Sequence, residues 1–188
     1  RLPKVTKGKK NALKPYQLDM IFQHSDICSI TKSIIELYIL TGCRISELCR
    51  PDFTWDQIDA EGEVAYIKNK GHKKDLDTPL EIPFLKDHHQ RLVKVINDYF
   101  KPIHFEAHIY PIPINAKNVY DRILYASKKV GFKFTPHDLR DTSATILLRE
   151  SGNIYAVKEH LGHASVKDTE DAYADWIMDD KRKSSASI

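Results

Sequence analysis

Apolar positions recur at helical spacing over much of the chain. Between Tyr16 and Leu40 they fall at Leu18, Ile21 and Phe22, then at Ile30, Ile34, Leu37, Tyr38 and Leu40, and the polar "HSDICS" divides them into two helices. Thr41 and Gly42 end the second, because glycine readily takes the left-handed conformation of a helix C-terminus. Another helix starts near "SEL", Ser46 to Leu48. The period then changes. "EVAYIK" alternates as a strand, "PLEIPF" is a second, and the polar residues between them make a long hairpin loop. Helical spacing returns in "LKDHHQRLVKVINDYFK", in "IPINAKNVYDRILYASKKVG" as far as Gly131, and in a helix that has Pro136 in its first turn and runs to about Arg149. Two shorter helical stretches, "IYAVKEHLG" and "VKDTEDAYADW", follow. The expected fold class is α+β, mainly helical, with a small antiparallel β-hairpin or sheet.

Composition narrows this little. A chain of 188 residues suits one domain with short extensions; 41% hydrophobic residues fill a sizeable core and 29% charged residues cover it. A net charge of +3 does not announce a nucleic-acid binder, but its distribution says more. "RLPKVTKGKKNALK" carries Lys9 and Lys10 among six basic residues and no acid, "KNKGHKK" holds Lys68, Lys70, Lys73 and Lys74, and "KRK" spans Lys181 to Lys183. Such runs fit a phosphate backbone; the plain alternative is solvated tails and a solvated turn. Three cysteines without CxxC spacing read as reduced thiols. No stretch approaches the ~18 apolar residues of a membrane span, and no signal-peptide core opens the sequence, so a soluble, intracellular protein is expected.

Five stretches carry chemistry, each with a plain reading beside it. In "TGCRISEL", Arg44 emerges where one helix ends and another begins, placed either to approach an anion or simply to pair with Glu47. A lysine in "KNKGHKKDLDT" either is solvated or, if the hairpin enters a groove, reaches a phosphate or a leaving oxygen. In "TPHDLRDT", His137 and Arg140 share a helix face at i, i+3 near an N-terminus that attracts negative charge; the alternative is local bonding to Asp138 or Asp141. In "EHLGHAS", His160 and His163 make a poor metal pair, since Gly162 breaks the helix between them and no further ligand stands at the right spacing. His163 serves better as a donor to an anion. Tyr173 is by default a packing residue; as a nucleophile it is only about 0.1% ionised at neutral pH and needs cationic neighbours.

Taken in order, Arg, Lys, His-x-x-Arg, Gly-His and Tyr, the set resembles the catalytic domain of the tyrosine recombinases, the phage-integrase family of site-specific DNA recombinases. "TGCRISEL" is similar to the family's first-arginine motif, "HDLRDTSAT" to its His-x-x-Arg box and "HLGHAS" to its Leu-Gly-His box, over a span from about Tyr16 to Trp176. The resemblance implies that Arg44 and Arg140 clamp the scissile phosphate, with His137 and His163 completing its hydrogen-bond shell and Glu47 supporting the first arginine. It implies that Tyr173 attacks the phosphorus to give a 3′-phosphotyrosyl bond, and that Lys70, with Lys73 and Lys74 as competitors, protonates the leaving 5′-oxygen. No metal or other cofactor is implied. The expected partners are double-stranded DNA, further copies of the protein in a tetramer, and accessory DNA-bending proteins; the expected setting is the cytoplasm, at the nucleoid, in the service of a mobile element. The expected organisation is a basic interdomain linker over residues 1–14, the catalytic domain over 15–176 and a tail over 177–188, without the family's N-terminal core-binding domain.

Three departures from the family pattern stand out. Ten positions separate His163 from Tyr173, one more than usual; Asp141 stands where a basic residue is commoner and weakens the phosphate pocket unless it is paired; Arg50-Pro51 replaces an apolar position. Competing readings are a type IB topoisomerase-like strand cleavage, a non-catalytic DNA-binding relative and a histidine metal module.

Overall fold

The computed structural model describes residues 11–49, 57–59, 64–67, 80–83, 115–163, 165–167, 169–170 and 173. In chain order the elements are α1 (Pro15–Gln23), α2 (Ser29–Thr41), α3 (Ile45–Leu48), β1 (Ile58–Asp59), β2 (Val64–Ile67), β3 (Leu80–Pro83), α4 (Ala116–Val130), α5 (Pro136–Ser151) and α6 (Ile154–Leu161). Backbone at 166–167, 169–170 and 173 is helical again. The helix expected over residues 85–101, the tail and the basic residues Lys9, Lys10, Lys68, Lys70, Lys73 and Lys74 lie outside the described residues. Among those described, no helix is long and apolar enough to cross a membrane.

Helix α2 is the centre of the fold. Ile34, Ile35, Leu37, Tyr38, Ile39 and Leu40 are all buried, so it is apolar on every side, as a core helix must be. Two of its hydroxyls bond within the helix, Ser33 Oγ donating to the Ser29 carbonyl at 2.9 Å and Thr41 Oγ1 to that of Leu37 at 2.8 Å, while those of Thr31 and Tyr38 meet Arg122 and Cys49 Sγ. It stops at Gly42, whose φ of 61° suits a residue without a Cβ. α4 is amphipathic instead, burying Val119, Ile123, Ala126, Ser127 and Val130 along one stripe. Asn115 caps its start by accepting the Asn118 N–H at 2.9 Å.

Two apolar clusters result. The larger joins α1, α2, α3 and α4 with Phe134 and Leu139; the smaller holds Ala144, Leu148, Val157, Leu161 and Tyr173. α5 belongs to both, giving Leu139 to the first and Ala144 and Leu148 to the second. Between those contributions lies a polar stretch, residues 140–143. α5 packs on both α2 and α6. The core also reaches back into the stretch expected as a linker: Leu13 is buried, and its N–H donates to Thr142 Oγ1 at 2.8 Å.

The strands pair antiparallel in the order β1-β2-β3, with Ala65 opposite both Ile58 and Ile82, and β3 lies against α6.

Candidate active site

Arg140, Asp141, Thr142 and Ser143 follow one another on α5, and none is more than 4% exposed. Burying four polar residues in a row costs free energy unless each finds partners. α5 begins with a capping box: Thr135 N–H and Oγ1 both donate to Asp138 Oδ2, at 2.8 and 2.7 Å, and Thr135 Oγ1 accepts the Asp138 N–H. This fixes the start of the helix, with exposed His137 in its first turn and Arg140 one turn on.

Arg140 is held from two sides. Nη1 donates to the Gly42 carbonyl at the end of α2, and Nη2 to the Leu161 carbonyl at the end of α6. Both acceptors are C-terminal helix carbonyls that the helices themselves leave open. Glu47 is the third partner, 4.0 Å from Nη1 through Oε2. The same carboxylate accepts the backbone N–H of Arg44 at 2.7 Å and, through Oε1, the Arg44 guanidinium at 2.7 Å. Glu47 is buried, whereas 43% of the Arg44 side chain is open to solvent. One acid therefore anchors two guanidiniums, and the three groups carry one net positive charge. Burial lowers the proton affinity of Arg140 first and Arg44 lowers it further, with Glu47 opposing; the guanidinium stays charged all the same.

His163 is half-buried just past α6, with Nδ1 2.9 Å from Thr169 Oγ1. Tyr173 is buried in the smaller cluster. Burial raises its phenol well above the usual range; the Asp141 carboxylate adds to this by charge and as a hydrogen-bond acceptor, while Arg140 pulls the other way. The acid expected to weaken the phosphate pocket thus acts on Tyr173. His160 is fully buried and bonds Ser143 Oγ through Nε2 at 3.0 Å, a use that differs from the metal role weighed for it. Among the described residues, no three His, Cys, Asp or Glu side chains are grouped to hold a metal.

The structure therefore brings Arg44, Glu47, Arg140, Asp141 and Tyr173 into one electrostatic group, with His137 on the same helix as Arg140 and His163 two residues after Leu161. Thr169, Ser143, His160 and Gly42 are members that motif spacing does not expose. Two surface clefts, one lined by Leu124, Lys128 and Phe132 and the other by Cys28, Thr31 and Arg122, include none of these residues.

The family model for the phage integrase family matches residues 11–178. The chain belongs to the phage integrase family. Among curated members, the tyrosine recombinase XerA of Saccharolobus solfataricus is 28% identical over 183 residues, covering 96% of this chain and 57% of that protein. The tyrosine recombinase XerC of Corynebacterium glutamicum is 31% identical over 143 residues, 73% of this chain and 44% of that one. The chain thus spans less than two thirds of the length of these integrase-family relatives. Its fold is theirs: a crystal structure of XerA recombinase superposes with a TM-score of 0.71 at 21% identity over 88% of this chain. The lambda integrase catalytic core gives 0.63 at 22% identity, over 81% of this chain and 91% of that one.

Proposed function

We propose that this chain is the catalytic part of a site-specific DNA recombinase that cleaves and rejoins duplex DNA through a 3′-phosphotyrosyl intermediate. The observation that carries the reading is the hold of one buried carboxylate, Glu47, on both Arg44 and Arg140. Two guanidiniums fixed this way are preorganised for an anion and do not have to reorganise when charge builds on a phosphate in transfer. Arg44, with its exposed head, and Arg140 bind the non-bridging oxygens. His137 and His163 complete the hydrogen-bond shell, the ring of His163 being oriented by Thr169.

Tyr173 supplies the nucleophile. Its phenol is protonated in the present packing, so its proton passes to the Asp141 carboxylate, which accepts a hydrogen bond from it, as the oxygen attacks phosphorus. The P–O5′ bond breaks in the same step, and the 5′-oxygen takes a proton from Lys70, or from Lys73 or Lys74, which lie in sequence between β2 and β3. Reversal by a different 5′-hydroxyl joins new strands with the phosphodiester energy conserved. The basic runs, including Lys9, Lys10, Lys68, Lys73 and Lys74, hold the DNA backbone, and phosphate contacts of that kind position a protein without specifying a site.

The working assembly is a tetramer on two duplexes; a lambda integrase tetramer bound to a Holliday junction shares this fold. Integration or excision of a mobile element, at the nucleoid in the cytoplasm and with DNA-bending partners, is the biological role that fits.

Burial of Tyr173 favours a second reading, a DNA-binding relative that does not cleave. Covalent trapping decides. A pool of nicked duplexes with randomised core sequence is incubated without metal with the protein and with Tyr173→Phe. An SDS-stable adduct in the first alone supports the proposal; DNA bound without an adduct supports the second reading.

A further inference from the structure

We infer that Ser143 and His160 are a positioning pair that sets the two carbonyls gripping Arg140; the inference rests on the recombinase reading of that site. Ser143 lies one helical turn after Arg140 on α5, and His160 directly precedes Leu161, whose carbonyl takes Nη2 of Arg140. Ser143 Oγ and His160 Nε2 are 3.0 Å apart, with both residues no more than 2% exposed. The third element closes on the same point. A Cβ on Gly42 would stand 2.9 Å from His160 Nε2 and 3.0 Å from Ser143 Oγ, so the end of α2 is packed directly on the pair. Gly42 supplies the carbonyl that takes Nη1. One hydrogen bond therefore joins α5 to α6 at the contact where α2 ends, and the three helices that carry Arg140 and its two carbonyl acceptors meet there.

The ring is not placed there as ordinary core. Among the described residues, the buried His160 Nδ1 finds no hydrogen-bond partner, a cost in free energy that an apolar side chain at this position would avoid. What the ring provides in exchange is the directional bond to Ser143.

The pair touches no reacting atom, so its effect must pass through Arg140. The test uses single-turnover cleavage of the duplex whose sequence the trapped adduct reveals, with the unaltered protein, Ser143→Ala, His160→Leu and His160→Gln. Ser143→Ala and His160→Leu should each slow cleavage about 10- to 100-fold, the scale expected when a reacting group is slightly misplaced. His160→Gln, which can still bond Ser143 Oγ, should recover most of the rate. A second duplex carries a methylphosphonate at the scissile position, which removes one charged oxygen and the need for one guanidinium. There the penalties of Ser143→Ala and His160→Leu should largely vanish, as should that of Arg140→Met. Unchanged rates in both variants overturn the inference, and so does a penalty that persists on the methylphosphonate duplex while that of Arg140→Met shrinks. If His160→Leu fails to fold, the milder Ser143→Ala carries the same comparison. No adduct from the unaltered protein sinks the recombinase reading itself, and this inference with it.

Discussion

Helix α2 is buried along most of its length and α5 through its middle, and they bury opposite things. α2 buries a mainly apolar run, from Ile34 to Leu40 with Glu36 inside it, and its Ser33 and Thr41 hydroxyls bond within the helix. α5 buries Arg140, Asp141, Thr142 and Ser143 in succession, and their partners come from across the chain: Gly42, Glu47, Leu161, His160 and Leu13. The first arrangement lowers the free energy of the fold by removing apolar surface from water. The second gains little on that account, since burying charge costs about what pairing it returns. Its placement at the seam between the two apolar clusters shows what is obtained: a rigid cationic group whose position is set by three helices at once.

This contrast can be broken at either helix. Ile35→Ala should cost about 2–5 kcal/mol of stability, read from urea unfolding, with cleavage per folded molecule unchanged. A loss of cleavage larger than the loss of folded protein would mean that α2 does more than support.

Acid should separate the two regions next. Burial, then the charge of Arg140, holds His160 at about 4 against an ordinary 6.5. Between those values the unfolded chain binds a proton that the folded chain does not. Stability is therefore full above about pH 6.5 and falls as the pH drops toward 4, by on the order of 3 kcal/mol from this group. Unfolding midpoints across that range check it. His160→Gln should remove this part of the slope, whereas Ile35→Ala should leave it in place.

Glu47→Gln keeps the shape of the carboxylate and removes the charge that two guanidiniums share. Cleavage should fall about 10–100-fold, with a smaller change in DNA binding. Equal losses in both would mean that Glu47 serves binding alone. The smallest effect is expected from Thr169→Val, which frees the His163 ring from its bond at Nδ1. About a fivefold slower cleavage is expected, the worth of one ordinary hydrogen bond, and no change would remove Thr169 from the site.

The same contrast explains what could be read in the sequence. α2 was legible, because apolar recurrence and a following glycine need no knowledge of distant residues. Arg44, Glu47, His137, Arg140, His163 and Tyr173 could be picked out as candidates, since short motifs carry them. The devices that hold Arg140 could not. Its Gly42 partner is 98 residues away and the Ser143–His160 bond spans 17, and neither separation leaves a periodic trace. Ser143 offered a faint signal, as a polar residue inside the buried face of α5. Asp141 was legible only as an anomaly, because what it does depends on where Tyr173 comes to rest.

The most direct test of the account replaces Arg140 by methionine, which has similar length and no charge. Single-turnover cleavage of a nicked duplex and urea unfolding are measured on the same preparation. Methionine leaves the Gly42 and Leu161 carbonyls without their donor, so a stability loss of about 1–3 kcal/mol is expected, with cleavage per folded molecule lower by about 10²–10³-fold. Cleavage per folded molecule within a few-fold of normal would contradict the account.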